Sequence, residues 1–201
     1  MVLLYCINQG YVHENMSYIT DAFEAVKRED FVPKELLKEA GIDAPLPIGA
    51  GQTISQPYTV RFMLELLDVK EGNSILDVGS GSGWTTALLA YLAGPTGKVI
   101  GVERVPELVK FGRGNLAKYK FPNARIEQAG KDLGWPKEGL YDRILVSAAA
   151  KELPEKLVAQ LKVDGIMVCP ISNTVEKIMK QRGEKLERER HEGFAFVPLV
   201  T

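Results

Sequence analysis

Histidine and cysteine each occur only twice, as His13, His191, Cys6 and Cys169, and this scarcity removes several chemistries at once. The cysteines are far apart and lack metal-ligand spacing, so neither a disulfide framework nor a metal site is expected; reduced thiols in a cytoplasmic protein are. Both histidines sit in polar contexts and are expected at the surface. No His, Cys or paired-carboxylate set stands out as a catalytic dyad or triad. An excess of one charge is missing too: 25 Lys and Arg residues nearly cancel 26 Asp and Glu residues, for a net charge of -1. A protein that grips a phosphate backbone over a large surface carries a basic surplus, so nucleic acid is not an expected partner. The basic set Lys177, Lys180, Arg182, Lys185, Arg188 and Arg190 interleaves with Glu184, Glu187 and Glu189 and is expected to be a solvated face. No apolar run approaches the ~20 residues of a membrane span. The opening MVLLYCINQGYVHENM has neither a basic leader nor a small-residue cleavage site, so membrane and secretion are not expected.

What is present is an ordinary globular composition, 45% apolar and 25% charged over 201 residues, enough for one domain with a sizeable core. Between Ser17 and Glu29, residues Ile19, Ala22, Phe23 and Val26 fall at helical spacing, and Pro33 followed by ELLKEA predicts a second short helix. The Pro/Gly-rich passage from Ile42 to Pro57 has no helical or strand periodicity and is expected to be a long irregular loop, a type that in compact domains is often functional. A helix follows, with Val60, Met63, Leu64 and Leu67 on one face.

From Ser74 short apolar runs alternate with helical patterns. SILDV, KVIGVE, the weaker ARIEQA, RILVSAAA and GIMVCPI read as strands, while TTALLAYLA, PELVKFGRGNLAKY and LPEKLVAQL read as helices. This alternation predicts βαβ units: an α/β, Rossmann-like fold with a mostly parallel doubly wound sheet. After GIMVCPI come a polar stretch and a final apolar FAFVPLV, whose short connections predict an antiparallel C-terminal part. The expected organisation is a single domain over 1–201, with a helical cap and loop over 1–60 and the cofactor-binding core over 61–201.

The run ILDVGSGSGWTT carries the clearest chemistry. A buried strand enters a turn through Gly79, Ser80, Gly81, Ser82 and Gly83, and a helix follows. Glycine is needed where a turn demands positive φ or where a Cβ would keep a ligand from the backbone, and the helix N-terminus presents free N–H groups to an anionic part of a ligand. The next strand ends at Glu103, 24 residues beyond Gly79, near the spacing at which α/β folds place a ribose-binding carboxylate. The spacing is GxGxG, without the third glycine of a dinucleotide fingerprint.

This pair of features resembles the S-adenosylmethionine-dependent methyltransferases, in which the glycine turn receives the methionine part of the cofactor and the acid holds the ribose. Four further strings narrow the resemblance: KREDFVP (27–33), PIGAGQTISQPYTV (47–60), YDRILVSAAAKELPEKLVAQL (141–161) and FVPLV (196–200). They are similar to those of protein-L-isoaspartate O-methyltransferases, which methylate the α-carboxylate of isoaspartyl residues derived from damaged Asn and Asp. The resemblance implies S-adenosyl-L-methionine as cofactor, S-adenosyl-L-homocysteine as product, isoaspartyl peptides and proteins as substrates, and action as a monomer. It assigns Ser55 as the active-site residue, a hydroxyl donor to the substrate carboxylate. It places Thr53, Ile54, Tyr58, Asp77, Gly79, Ser80, Gly81, Gly83, Glu103, Gly130 and Lys131 around the cofactor. Ala148, Ala149 and the neighbouring Ala150, with Val197, Pro198 and Leu199, would shape the peptide pocket.

Two departures accompany the match. Where the family has Gly-Asp-Gly, with its Asp on the adenine amino group, this chain has Ala129, Gly130 and Lys131, and Asp132 follows. The chain also reaches Thr201 directly after VPLV, which implies altered closure over the substrate. The first departure leaves open a cofactor-binding homologue with lost or altered transfer, and the fold alone leaves open a methyltransferase acting on RNA or a small molecule.

Overall fold

The structure, a computed structural model, describes residues 18–200. Cys6, His13 and the apolar run that opens the chain lie outside the described residues. A helix over residues 18–25 (α1) comes first. Its apolar stripe is buried at Ile19 and Ala22, and Val26 just beyond it packs in the same core as Leu64, Leu88 and Leu89. Pro33 does not open an α-helix as expected. Lys34–Leu36 is a single 3-10 turn whose bonds run from each N–H to the third carbonyl back, as from Leu36 to Pro33. Gly41 ends the run, and the carbonyls of Ala40, Ile42 and Ala44 accept from the Arg28 guanidinium instead of continuing a helix.

The supposedly irregular passage is a β-hairpin, β1 (Leu46–Gly49) with β2 (Gln52–Ile54). Leu46 and Ile48 point inward while Pro47 and Gly49 face out. Its two-residue turn uses positive φ at both Ala50 (50°) and Gly51 (71°), the handedness that matches strand twist in tight hairpins. Pro47 is tolerated because β1 is an edge strand with no further partner to satisfy. Helix α2 (Pro57–Leu67) follows, with Pro at its first position and the Tyr58 N–H capped at 2.8 Å by Asp43 Oδ1.

The core sheet has seven strands in the order β5-β4-β3-β6-β7-β8-β9. These are β3 (Ser74–Val78), β4 (Lys98–Glu103), β5 (Ala124–Gln128), β6 (Tyr141–Val146), β7 (Leu161–Ile171), β8 (Thr174–Lys180) and β9 (Leu186–Glu192). The first five are parallel, and β8 and β9 add antiparallel. Between them run α3 (Trp84–Ala93), α4 (Pro106–Leu116) and α5 (Glu155–Val158). The LPEKLVAQL helix thus shrinks to one turn. Alternation along the strands splits the core: Ile75, Val99, Leu145 and Val168 face the cap and α2 to α4, whereas Leu76, Ile100, Ile144 and Met167 face α5 and Trp135. The order reverses between β3 and β6, and such a switch point opens a crevice at the strands' carboxyl ends.

The polar stretch after GIMVCPI, left without strand assignment by its composition, is β8 and β9. Opposite charges hold the pair, with Lys177 across from Glu189 and Glu176 across from Arg190. Glu176 is 3% exposed and accepts from Arg188 and Arg190. Lys177, Arg188 and Arg190 of the basic set therefore belong to a charge ladder between β8 and the edge strand β9. FAFVPLV adds no antiparallel strand; it makes one isolated parallel bridge, Ala149 to Pro198.

Gly83 caps α3 at φ 88°, and a Cβ there would lie 3.0 Å from both the Gly112 carbonyl and Ile126 Cδ1. Gly83→Ala is expected to lower unfolding stability by about 2–4 kcal/mol, from left-handed strain plus overpacking. Gly114→Ala, on the exposed side of α4 with nothing near its Cβ position, should raise stability by about 0.5–1 kcal/mol. Urea unfolding of both variants checks the pair.

Candidate active site

A cleft of about 490 Å³ lies over the carboxyl ends of β3 to β6. Its floor is the glycine turn. The N–H groups of Gly79 and Ser80 both donate to the Val102 carbonyl, at 2.9 and 3.1 Å, so the turn is fixed against the end of β4. Glu103 then binds the turn a second time: its Oε2 accepts from Gly81 N–H at 2.9 Å, and its Oε1 from Val105 N–H at 2.9 Å. The carboxylate is 6% exposed and lines the cleft. Each oxygen keeps further acceptor capacity after one backbone bond, which is what a ribose diol requires.

Beneath the turn lies Asp77, fully buried. Its Oδ2 accepts from the hydroxyls of Thr85 (2.7 Å) and Thr86 (2.6 Å) in the first turn of α3, a position the helix dipole favours for an acid. Its Oδ1 has no hydrogen-bond partner, and neither has the buried Oγ of Ser80. Burial pushes the Asp77 carboxyl up to about 6, against the two threonine bonds and with a smaller contribution from the Glu103 charge. Two acids and a glycine turn without bulky side chains suit a ligand with a diol at one point and positive charge at another, so these residues fit S-adenosylmethionine.

At the other end the cleft is bounded by residues 129–134. Ala129 N–H donates to the Glu103 carbonyl at 2.7 Å. Gln160 accepts from Trp135 N–H at 2.8 Å and donates to the Leu133 carbonyl at 2.8 Å, while the Tyr141 hydroxyl donates to the Trp135 carbonyl at 2.7 Å. The loop is thus shaped by its neighbours and not by Gly130, whose Cβ position is empty and whose φ is not positive. Facing walls come from the hairpin, through Ile48, Gln52 and Thr53, and from the tail, through Val197, Pro198 and Leu199. The tail is held by Ala149, whose N–H donates to the Val197 carbonyl at 2.8 Å and whose carbonyl accepts from Leu199 N–H at 2.8 Å.

Of the residues singled out in the sequence, Thr53, Gly79, Gly81, Glu103, Gly130, Lys131, Ala148, Val197, Pro198 and Leu199 meet around the cleft. The others lie behind or beside it. Ile54 is buried, Asp77 and Ser80 lie under the turn, and Ala149 supports the tail. Gly83 packs α3 on α4. Ser55 follows β2, with its carbonyl accepting from Arg28 at 3.1 Å. Tyr58 is 58% exposed and stacks on Phe62. Sequence reasoning missed Ser147 and Arg104, which also line the cleft. Both directly follow strand ends, β6 and β4, so the rule that ligands sit beyond the carboxyl ends of parallel strands could have found them. It missed the wall residues Ile48 and Gln52 because the hairpin was not expected. His191 stacks edge-on against Phe62, and the buried Cys169 thiol is pushed up to about 12 by desolvation, so it is not a thiolate near neutrality.

The raised Asp77 value makes the ligand-free protein bind a proton more tightly folded than unfolded between about pH 4 and 6. Stability contributed by the protonated acid is therefore present at low pH and lost as pH rises through about 6, a difference of about 3 kcal/mol for a two-unit shift. Asp77→Asn removes this titration. Its stability relative to the parent should improve by about 3 kcal/mol between pH 4 and pH 7 in urea melts without cofactor. Equal pH dependence in both proteins would show that Asp77 does not titrate in this window.

Comparison with known proteins gives the same picture over the full length. The sequence matches the protein-L-isoaspartate(D-aspartate) O-methyltransferase family over residues 2–201. A protein-L-isoaspartate O-methyltransferase of Methanopyrus kandleri is 43% identical over 196 residues, covering 95% of this chain and 86% of that one. One from Methanothrix thermoacetophila is 42% identical, covering 96% and 90%. Among solved structures, a Plasmodium falciparum β-aspartate methyltransferase in complex with S-adenosyl-L-homocysteine superposes with a TM-score of 0.82 at 29% identity, over 99% of this chain and 97% of that one. With the glycine turn, the acid at the end of β4 and the two walls of the cleft all inside the matched span, the chain belongs to the protein-L-isoaspartate(D-aspartate) O-methyltransferase family.

Proposed function

We propose that this protein transfers a methyl group from S-adenosyl-L-methionine to the α-carboxylate of L-isoaspartyl residues in damaged peptides and proteins, releasing S-adenosyl-L-homocysteine. The observation that carries this reading is that the family match spans the hairpin and the tail as well as the cofactor turn. Those walls are where a family's substrate choice is written, and a shared cofactor fold alone would not include them.

The bound cofactor supplies an electrophilic methyl group. The turn at Gly79 to Gly81 would receive its methionine part, Glu103 its ribose and the 129–132 loop its adenine. The protein's own task is placement. A carboxylate with a pKa near 4 is already ionised at pH 7 and needs no general base, so its in-line positioning in a water-poor cleft supplies the rate. In this reading Ser55, two residues beyond the wall residue Thr53, orients the substrate carboxylate through its hydroxyl, and Ala148 with Val197 to Leu199 packs the peptide. The ester then cyclises to a succinimide without the enzyme.

The protein acts as a monomer on peptide partners, not on nucleic acid or membranes. Charge supports this, being nearly balanced. Among the described residues no helix is long and apolar enough to cross a membrane. The β9 edge also opposes self-association. A twofold edge-to-edge pairing sets residues of equal parity opposite each other, so registers centred on Arg188 or Glu189 bring Arg against Arg and Glu against Glu. A cytoplasmic location is inferred from the cysteine usage.

An assay with labelled cofactor and an isoaspartyl peptide should yield a methyl ester, whereas the matching Asp peptide should not; no ester above the Asp background overturns the reading in favour of a binding homologue. At the adenine end, Gly130→Asp should tighten S-adenosylhomocysteine by roughly ten- to hundredfold in calorimetry, the value of a charged acceptor at ~1.5–3 kcal/mol. Unchanged affinity would mean that another group already meets the adenine amine.

A further inference from the structure

A buried arginine controls the wall formed by the hairpin. Arg28, in the 3-10 turn Arg28–Phe31, is 7% exposed. Its Nη1 donates to the carbonyls of Ala40 (2.9 Å) and Ile42 (3.1 Å), and its Nη2 to those of Ala44 (2.7 Å) and Ser55 (3.1 Å). Ala44 stands just before β1 and Ser55 directly after β2, so one nitrogen bridges both feet of the hairpin. All four acceptors are backbone carbonyls. A buried guanidinium spent this way fixes geometry, because its planar fork presents five N–H groups in set directions, four of them met by these carbonyls while the buried Nε is left without a partner.

The hairpin needs such a clamp. A two-stranded hairpin alone is marginal in water, and β1 and β2 form a separate sheet from the seven-stranded core. Its tip, Gly49 to Gly51, is exposed and left-handed throughout. Leu46, Ile48 and Ile54 dock it on the main core, and Ile48 Cδ1 lies 3.1 Å from the Cβ position of Gly81, directly over the cofactor turn. The clamp rests on the same turn from behind: the guanidinium carbon is 5.5 Å from the ring centroid of Trp84, the first residue of α3. Asp43, inside the clamped segment, also caps α2 through Tyr58 N–H.

We propose that Arg28 is the positioning residue that holds the 46–54 hairpin shut over the cleft, setting one closed population on which cofactor and substrate both draw. The substrate half of this statement rests on the proposed function, and the hairpin and cofactor halves do not. If both ligands need the closed hairpin, opening it reduces the apparent affinity of whichever binds first by the fraction closed, spares the one that binds second, and leaves turnover at saturation alone. Arg28→Lys keeps the charge and loses the fork. For this variant, amide exchange over 46–54 should accelerate and S-adenosylhomocysteine Kd should rise about tenfold, while peptide KM rises by a similar factor at limiting cofactor and returns towards the parent value at saturating cofactor, with kcat within about twofold. Amides of β3 and β4 should exchange as in the parent. Arg28→Met, which removes all four of these hydrogen bonds, should move the same readouts further. The proposal is overturned if hairpin exchange is unchanged, if β3 and β4 loosen as much as the hairpin, or if exchange quickens while the Kd stays at the parent value. A parent protein that does not methylate the peptide refutes the proposed function, and the exchange and calorimetry arms still decide the role of Arg28.

Discussion

The end of β4 is the point on which the cleft depends. Val102 and Glu103 receive hydrogen bonds from three separate segments: the glycine turn, the start of the β4 to α4 connection, and the chain leaving β5. A carboxylate at this place therefore serves before any ligand arrives, because it fixes the Gly81 and Val105 N–H groups relative to each other. Replacing those two bonds by water would cost the turn its definition, since a run of glycines has the most conformational freedom to lose. In the proposed binding mode the carboxylate that meets the ribose is thus the same group that shapes the glycine turn.

The second constraint is electrostatic. Asp77 and Glu103 put two acids within or under the same turn, one of them fully buried with an unpartnered oxygen. An ionised carboxylate in that position is costly, which is why burial pushes the Asp77 carboxyl up to about 6. In the proposed binding mode a ligand carrying an ammonium and a sulfonium group would offset that cost by adding positive charge at low local dielectric.

Much of this was legible in the residues, and the parts that were not share a cause. Strands β3, β4, β6 and β7 are buried on both faces and read as continuous apolar runs, so the alternation with helices exposed the fold class. The glycine turn and Glu103 stood at the ends of those runs. The hairpin escaped because its strands are only four and three residues long, it contains Pro47, and it is held by Arg28 from 27 residues before Ser55, a contact no local pattern encodes. Strands β8 and β9 escaped because cross-strand charge pairs, not an apolar face, stabilise much of their surface. A glycine turn invites a ligand role for Gly83, whose freedom serves the packing of α3 on α4, since a sequence shows that a Cβ is absent but not what would have met it. The side chains behind the cleft, Asp77 and Ser80, lie under residues that line it, and strand periodicity alone does not separate floor from foundation.

The adenine end shows why a departure from a motif need not disturb the rest of a site. The 129–135 loop takes its shape from Glu103, Gln160 and Tyr141, through bonds that do not involve the side chain at position 130. Gly130 has neither a left-handed backbone nor a crowded Cβ, so glycine answers no geometric demand there. Losing an acid at such a place removes an attraction to the far end of the ligand and leaves the turn, Glu103 and the walls where they were. Affinity is then the quantity that changes, because an interaction made equally in the ground state and the transition state alters binding without altering the chemical step.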